Sequence, residues 1–419
     1  MLTLLLALSG AIWLFLLLGW GRFWWCDQQL PMPDAAPIDR STPAPRVAVV
    51  IPARNEAEGI GACVRSLLTQ DYPGSVQVIL VDDQSDDGTA ALARQAALDC
   101  GMGDCGRGDG GRGDGGRGDG GEDSGDRLTI LPGQPLAPGW TGKLWALEQG
   151  TRHAQALNPP PDYLLLTDAD IAHAPFNLRQ LVTKAETEAL DLASLMVRLR
   201  CQSGWERLLI PAFVYFFQQL YPFPWVNNPR RTLAAAAGGC VLLRRSALER
   251  IGGIAVLRDA LIDDCTLAAQ VKGTLAPGSG PYHPIWLGLS TTTHSLRAYD
   301  SLHSIWTMVA RTAYTQLHYS PLLLLGTLGG MTLVYLLAPL ALGLGLGLGS
   351  VPLITGGAAI WALMTLSYWP TVRLYGLSPL WATLLPVIAL LYTLMTLDSA
   401  RRHWQGRGGA WKGRVYPQG

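Results

Sequence analysis

The uncharged apolar stretches at the two ends of this chain limit its fold more than any other feature of the sequence. Residues 2–20 carry no charge and are about as long as a helix that crosses a bilayer. Three further uncharged stretches occupy residues 322–349, 351–369 and 378–397. Soluble helices of this length normally keep a polar face, so these stretches predict membrane-spanning helices.

The first stretch lacks both the basic start and the small-residue cleavage site of a signal peptide. Arg22 and several tryptophans follow it, a composition typical of the membrane interface. We therefore expect an uncleaved anchor over residues 1–25, C-terminal transmembrane helices over 321–398 and a basic tail over 399–419.

The side of the membrane on which this tail lies is left open. Basic segments usually stay in the cytoplasm. One anchor and three later spans would instead place the tail on the face opposite to a cytoplasmic central domain. A re-entrant segment, a further span or an exception to the rule would each resolve the conflict.

The overall composition excludes several classes of partner. Charged residues make up 15% of the chain, and the formal net charge is zero, so no basic field favours nucleic acid. The seven cysteines include no Cys-x-x-Cys spacing. Neither a zinc site nor a disulfide framework is indicated, and reduced thiols suit a cytosol-facing domain.

The central region alternates between strand-like and helix-like patterns. After a Pro-rich linker (26–45), strands are predicted at 46–52, 76–83, 127–131 and 163–170, with helices at 58–70, 89–99 and 143–157. This alternation predicts an α/β domain over 46–320 built on a parallel sheet. Its Gly/Arg/Asp-rich insert, residues 101–126, is predicted to be disordered because it lacks apolar residues to bury.

Two aspartates, Asp168 and Asp170, follow the leucine run at the end of the fourth predicted strand. Alternation along an extended backbone would aim both carboxylates to the same side, where they suit Mg²⁺ or Mn²⁺. A solvated turn is the alternative. In parallel sheets, ligands bind beyond the carboxyl ends of the strands, so polar residues after the other strands are expected at the same edge.

The first strand-to-helix turn, "VAVVIPARNEAEG", lacks the Gly-x-Gly-x-x-Gly pattern that lets the backbone approach a pyrophosphate. A dinucleotide site of the NAD type is therefore disfavoured.

Four motifs in order, "VVIPARNEAEGI", "VILVDDQSDDGT", "LLLTDAD" and "LIDDCTLA", resemble those of the inverting family 2 glycosyltransferases, which have the Rossmann-like GT-A fold. The resemblance covers roughly residues 46–275. With "GWTGKLWAL" and "IWTMVARTAYTQL" before the C-terminal spans, the whole chain is most similar to the bacterial hopene-associated glycosyltransferases.

The resemblance implies a nucleotide-sugar site. Asp82 and Asp83 would contact the base and ribose, although "DDQSDDG" also suits a plain turn. Pro52, Asn55 and Glu56 would form the loop that flanks the nucleotide. The structural alternatives are that Pro52 ends a strand and that Glu56 is an acidic residue in the first turn of a helix. Asp168 and Asp170 match the family's DxD motif, in which Asp168 also contacts the donor and both hold the metal that bridges the diphosphate.

The resemblance also implies catalytic groups. Asp264 matches the base that takes the acceptor's proton, with Asp263 beside it; a helix N-cap pair is the alternative. Lys143 would meet phosphate oxygens or remain a solvated lysine. Arg311 is all that "MVART" retains of the family's QxxRW motif, and the resemblance implies that it contacts the diphosphate.

Residues 205–225 are long, aromatic and lightly charged. A core helix is the simplest interpretation. Beside the predicted spans, the tryptophans and tyrosines favour an interfacial helix that presents a lipid acceptor.

We therefore expect a multi-pass glycosyltransferase of the bacterial inner membrane, with its catalytic domain in the cytoplasm. It would move a sugar from a nucleotide-diphosphate sugar to a lipid, and a hopanoid acceptor rests on resemblance alone. Ceramide, diacylglycerol and polyprenyl phosphate are alternative acceptors. A transporter would be expected to carry ionisable residues in its spans, and a non-catalytic scaffold would not need intact acidic motifs.

Overall fold

The computed structural model describes residues 1–30, 43–101, 127–258, 260–274, 282–406, 410–411 and 414–415. Residues 31–42 of the predicted linker and 102–126 of the predicted insert lie outside these ranges. The chain forms two compact units. The helical unit comprises Met1–Gln28, Arg200–Val226 and Ala298–Gly419, and the sheet unit comprises Gln29–Leu199 and Asn227–Arg297. The domain boundaries derived from the sequence stay a prediction.

An eight-stranded sheet forms the centre of the sheet unit. Its strands are β1 (Val47–Ala53), β2 (Val76–Asp82), β3 (Leu128–Pro132), β4 (Tyr163–Thr167), β5 (Ile171–Ala172), β6 (Leu192–Arg198), β7 (Cys240–Arg244) and β8 (Ile285–Ser295). They are arranged in the order β3-β2-β1-β4-β7-β6-β8-β5. All residues of β1 and β4 are buried, as expected for central strands covered on both faces.

The sheet is mixed, which corrects the expectation of a parallel sheet. Strands β3, β2, β1 and β4 are parallel, as predicted, but β7 is antiparallel to both of its neighbours, β4 and β6. A continuous apolar run indicates a buried strand but does not encode the direction of that strand. The α/β fold class itself is confirmed.

Helices cover both faces of this sheet. They span Ile60–Leu68, Thr89–Gly101, Gly142–Gln155, Asn177–Thr187, Arg245–Ile251 and Asp263–Lys272, with a 3₁₀ turn at Ile254–Leu257. The first three agree with the helices predicted from the sequence. Gly142–Gln155, hereafter the Lys143 helix, begins after Thr141, whose hydroxyl oxygen accepts the N–H of Leu144 at 3.4 Å.

The helical unit contains helices at Leu2–Gly19, Gly204–Leu220, Phe223–Val226, Leu302–Thr312, Pro321–Met331, Leu337–Leu348, Val351–Leu374 and Leu385–Trp404. Shorter turns lie at Thr315–Leu317, Thr332–Leu336 (a π turn) and Pro379–Leu384, and Ala410–Trp411 pairs with Arg414–Val415. Among the residues that the structure describes, four helical segments are long and apolar enough to cross a membrane: Leu2–Gly19, Pro321–Leu348, Val351–Leu374 and Pro379–Trp404. They coincide with the four uncharged stretches of the sequence.

The aromatic segment 205–225 forms most of the helix Gly204–Leu220 and the short helix after it. One face is buried within the helical unit, where Tyr215 shares a hydrogen bond of 2.8 Å with Ser367. The hydroxyl of Tyr392 donates to the carbonyl of Leu209 at 2.9 Å. A core helix accounts for this face, and the presentation of a lipid stays a prediction.

Gly150 lets the Lys143 helix lie unusually close to the sheet. A Cβ atom there would clash with Val50 of β1 and lie 3.0 Å from Val81 Cγ2 of β2. We expect Gly150→Ala to lower the free energy of unfolding by about 1–3 kcal/mol, because the helix must move away from the strands. Thermal unfolding of the detergent-solubilised chain measures this.

Gly61→Ala is the matched control for this prediction. It lies in the helix Ile60–Leu68, and its Cβ would meet only Arg65 side-chain atoms, the nearest at 3.5 Å. Alanine favours a helix by up to about 1 kcal/mol over glycine, so this variant should be at least as stable as the parent. If Gly150→Ala were as stable as Gly61→Ala, the close approach of the Lys143 helix to the sheet would be shown to be unimportant for stability.

Candidate functional site

Several of the predicted site residues follow strands that end at one edge of the sheet. The neighbouring parallel strands β2, β1 and β4 end at Asp82, Ala53 and Thr167. Asp83 and Asp168 come directly after β2 and β4, and the pair Asn55 and Glu56 follows β1 after one intervening residue. Because the carboxyl ends of parallel strands meet at one edge, these side chains gather there as expected.

One cavity of the sheet unit brings together charged residues from three segments. Its charged lining comprises Lys143, Asp168, Asp263 and Asp264. The Nζ atom of Lys143 lies 2.9 Å from Asp168 Oδ1 and 3.5 Å from Asp263 Oδ2. The remaining walls are mainly apolar and include Pro52 of β1. An ammonium group therefore joins the predicted metal segment to the predicted catalytic segment.

The electrostatics of this cavity follow from burial and the crowding of charges. Burial raises the pKa of Asp168, and Lys143 offsets this only in part. Burial alone would lower the pKa of Lys143, but the attraction of Asp168 and Asp263 outweighs it and raises that pKa. Lys143 is thus held as a cation among carboxylates. The solvated-lysine alternative does not describe it.

Asp264 is fixed by two backbone donors. The N–H of Gly238 donates to Oδ2 at 2.9 Å, and the N–H of Cys265 donates to Oδ1 at 2.8 Å. Burial, followed by the negative charge of Asp263, raises the pKa of Asp264 to about 6. A carboxylate with this pKa is ionised at neutral pH yet basic enough to take a proton.

The N-cap alternative for the aspartate pair is wrong. Ile262 occupies the N-cap position of the helix Asp263–Lys272 and makes no side-chain capping bond, and both aspartates lie in the first helical turn. Carboxylates in that turn are favoured by the helix dipole, which opposes the effects that raise the pKa of Asp264.

Asp168 and Asp170 do not continue the extended strand, which corrects the alternation argument. Strand β4 ends at Thr167, and the chain turns so that the N–H of Ile171 meets the carbonyl of Asp168 at 3.3 Å. The two carboxylates consequently pair with different cations. Asp168 contacts Lys143, and Asp170 Oδ2 accepts from Arg297 Nε at 2.8 Å.

The donor set of this pair suits a cation that arrives with a ligand. Across the ranges that the structure describes, no cluster of three or more His, Cys, Asp or Glu side chains is placed to hold a metal. Mg²⁺ is often held by one or two carboxylates together with substrate phosphates and water. Two aspartates one residue apart fit that arrangement, and their metal role stays a prediction.

Asn55 and Asp82 take part in the hydrogen bonds that join the loop after β1 to the turn after β2. The N–H of Ser85 donates to Asp82 Oδ1 at 3.0 Å, and Ser85 Oγ accepts from the N–H of Asn55 at 3.0 Å. Asn55 has a positive φ of 52°, which asparagine tolerates well. The turn-forming interpretation of this segment is correct, and it leaves the nucleotide-binding role a prediction.

The predicted residues are not all found in the Lys143 cavity. Within the described part of the sheet unit, Asn55, Glu56, Asp82, Asp83 and Asp170 are not among its lining residues. Arg311 lies on the helix Leu302–Thr312 of the helical unit, and its contact with the diphosphate stays a prediction.

Two arginines at this edge were not predicted from the sequence. Arg297 follows β8, a Ser/Thr-rich strand that runs in the same direction as β4, and contacts both Asp170 and Glu56. Arg54 follows β1 and lies 3.8 Å from Asp83 Oδ2. Their position directly after strands was the signal that could have found them.

The comparison with protein families agrees with this geometry. The family model described as "Glycosyl transferase family 21" matches residues 133–416, and "Glycosyl transferase family 2" matches residues 48–104. The chain belongs to glycosyl transferase family 21. The prediction of a glycosyltransferase with the GT-A fold is confirmed at this level.

One solved structure with a similar fold is nearly equal in extent to this family 21 chain. It resembles the mannosyltransferase PcManGT from Pyrobaculum calidifontis, solved with GDP-Man and Mn²⁺, with a TM-score of 0.55 and 19% identity over 95% of this chain and 99% of that one. At this identity, the likeness supports the fold.

Two curated relatives match only short segments. Glycosyltransferase AglE of Haloferax volcanii is 48% identical over 52 residues, which is 12% of this chain and 17% of that protein. An N-acetylglucosaminyltransferase of Rhizobium meliloti is 40% identical over 67 residues, which is 16% of each. The chain thus spans about a sixth of the length of these relatives.

The raised pKa of Asp264 predicts the pH dependence of this family 21 chain. If Asp264 accepts a proton, only its ionised form is active, so kcat/KM should rise as the pH rises through about 6. Asp263→Asn removes the like charge and should move this acidic limb to lower pH. The measurement is kcat/KM of sugar transfer as a function of pH between pH 4.5 and 8.

Asp99→Asn, which changes the same charge on the helix Thr89–Gly101, is the control and should leave the limb in place. Identical limbs in the parent and Asp263→Asn would contradict the coupling between the two aspartates.

Proposed function

We propose that the chain is a membrane-bound inverting glycosyltransferase that moves a sugar from a nucleotide-diphosphate sugar to a lipid hydroxyl. The observation that carries this proposal is the cavity in which Lys143 joins Asp168 to the Asp263–Asp264 pair. Such a cavity offers a carboxylate base and a cation for phosphate within one small space. The family membership of the chain supports the same chemistry.

In this proposal, Asp264 is the base. The acceptor hydroxyl attacks the anomeric carbon, a new C–O bond forms, and the proton passes to Asp264. The bond between that carbon and the diphosphate breaks on the opposite side, which inverts the configuration. The N–H groups of Gly238 and Cys265 hold the carboxylate in place, and the raised pKa of Asp264 suits proton transfer near neutral pH.

Lys143 and the pair Asp168 and Asp170 would face the diphosphate. A divalent ion, Mg²⁺ or Mn²⁺, would be held by the two aspartates and would supply positive charge to the leaving group. The relative PcManGT was solved with GDP-Man and Mn²⁺, which supports an ion of this class. Lys143 already lies beside Asp168 and can place its ammonium against phosphate oxygens.

The nucleotide would lie along the turn that follows β1 and β2. Asp82 and Asp83 offer carboxylate acceptors for base N–H and ribose hydroxyl groups, and Pro52, Asn55 and Glu56 form the adjoining loop. Arg311 is proposed to contact the diphosphate from the helix Leu302–Thr312.

The four apolar helices support a lipid acceptor that is delivered within a bilayer. We propose the bacterial inner membrane as its location, with the sheet unit in the cytoplasm where nucleotide sugars are made. A hopanoid-type polycyclic lipid is the first acceptor to test, on the resemblance of the motifs.

The test is lipid profiling of a deletion strain beside its parent, with purified protein incubated with labelled sugar nucleotides. Unchanged lipids in the deletion strain, together with no labelled lipid product from the purified protein, would contradict the proposal.

Asp264→Asn should separate donor binding from transfer. The amide keeps the size of the side chain but cannot accept the proton, so we expect kcat to fall by about 10²–10⁴. The dissociation constant of the sugar nucleotide that supports turnover should change by less than about threefold. Calorimetry and a radiolabel transfer assay measure the two quantities. Turnover equal to that of the Asp99→Asn control would remove Asp264 from its role.

A further inference from the structure

Arg297 joins two loops that carry predicted donor-site residues. Its Nε donates to Asp170 Oδ2 at 2.8 Å, and its Nη2 donates to Glu56 Oε1 at 2.8 Å. The hydroxyl of Ser295, at the end of β8, also donates to Asp170 Oδ2, at 3.2 Å. One guanidinium therefore compensates carboxylates that follow β4 and β1.

The exposure of these side chains differs in a way that bears on function. The side chains of Asp170 and Glu56 are each only 13% exposed, whereas that of Arg297 is 39% exposed. Burial fixes the two carboxylates, and Gly59 contributes to this closeness because a Cβ there would lie 3.3 Å from Asp170 Cα. The cation is the member of the group that solvent or a ligand can reach.

The same oxygen of Asp170 would be needed by a divalent ion. A guanidinium nitrogen at 2.8 Å occupies one face of that oxygen, and its positive charge also repels a second cation. The arriving ion can replace the charge of the arginine at Asp170 Oδ2 while Nη2 of Arg297 stays with Glu56 Oε1, so that neither carboxylate is left uncompensated. A diphosphate would then offer the displaced guanidinium a new bidentate partner.

We propose that Arg297 is the resident counter-cation of Asp170. It holds Asp170 while no divalent ion is bound, and it releases that carboxylate when the ion binds with the donor's diphosphate. This inference rests on the proposed function, because it takes Asp170 as a metal ligand. Arg297 is thus a positioning residue that makes the site weak for the ion alone and favours the ion together with the diphosphate.

A purely structural role for Arg297 predicts a different result. If the arginine only fastened the ends of β8, β4 and β1, its removal would loosen the loop around Asp170. Ion binding would then weaken or stay unchanged. Competition predicts the opposite, since removing the resident cation strengthens the binding of Mn²⁺ alone.

The test measures the affinity of the full-length chain in detergent for Mn²⁺ alone, by calorimetry. Arg297→Gln should bind Mn²⁺ at least about tenfold more tightly than the parent, because it removes the positive charge that lies 2.8 Å from Asp170 Oδ2 and repels the arriving ion. Arg297→Lys keeps the positive charge but cannot donate in the bidentate geometry of a guanidinium, so its affinity for Mn²⁺ should lie between those of the parent and Arg297→Gln. Arg54→Gln removes an arginine that pairs with Asp83 instead and should bind like the parent.

Asp170→Asn separates the failure of this inference from that of the proposed function. Mn²⁺ binding that survives this substitution unchanged contradicts the metal assignment, and the inference falls with it. Loss of binding in Asp170→Asn without any gain in Arg297→Gln overturns the inference alone. If Arg297→Gln does not fold, the test uses Arg297→Lys instead. Its Mn²⁺ affinity, and the rise in unfolding temperature that Mn²⁺ causes, are then compared with those of the parent. Values equal to or below those of the parent overturn the proposal.

Discussion

The contact of Lys143 with Asp168 and Asp263 is the interaction on which the candidate site depends. Several carboxylates that share a partly buried cavity repel one another and lose the solvation of their charges, and the ammonium of Lys143 offsets both effects. Its place is fixed by a helix cap beside the charges and by packing farther along the same helix. Thr141 caps the helix beside Lys143, and Gly150, two turns further along, lets that helix approach β1 and β2. A packing detail in the core thus determines the electrostatics at the edge of the sheet.

A second link joins the two acidic segments through the backbone. The hydroxyl of Thr167, the residue before Asp168, donates to the carbonyl of Gly239 at 2.8 Å. Gly238, its neighbour, donates its N–H to Asp264. The segment before β7 therefore positions Asp264 relative to the end of β4. Hydrogen bonds to backbone groups hold this geometry more rigidly than a contact between two long side chains would.

The sequence was sufficient for the parts of this molecule whose signals are local. Strands β1 to β4 are apolar runs with clear ends, and the rule that ligands lie beyond the carboxyl ends of strands places Asp83 and Asp168 at one edge. The four apolar helices follow from length and composition. Two kinds of information were missing. The direction of β7 depends on long-range pairing, and the partners of Asp170 depend on Arg297, which lies more than a hundred residues away. An isolated arginine carries no pattern of its own.

The place of β7 between β4 and β6 has a consequence for synthesis of the protein. Strand β6 is complete at Arg198, but the strand that joins it to β4 begins only at Cys240, after the whole of the segment Arg200–Val226. While the ribosome is making that segment, two apolar strands have exposed hydrogen-bonding edges and no partner between them, which is the condition under which nascent chains associate wrongly. The gap between β4 and β6 is filled by the five-residue strand β7, and β8 follows later in the chain. The unfinished chain is therefore most prone to wrong association over this interval.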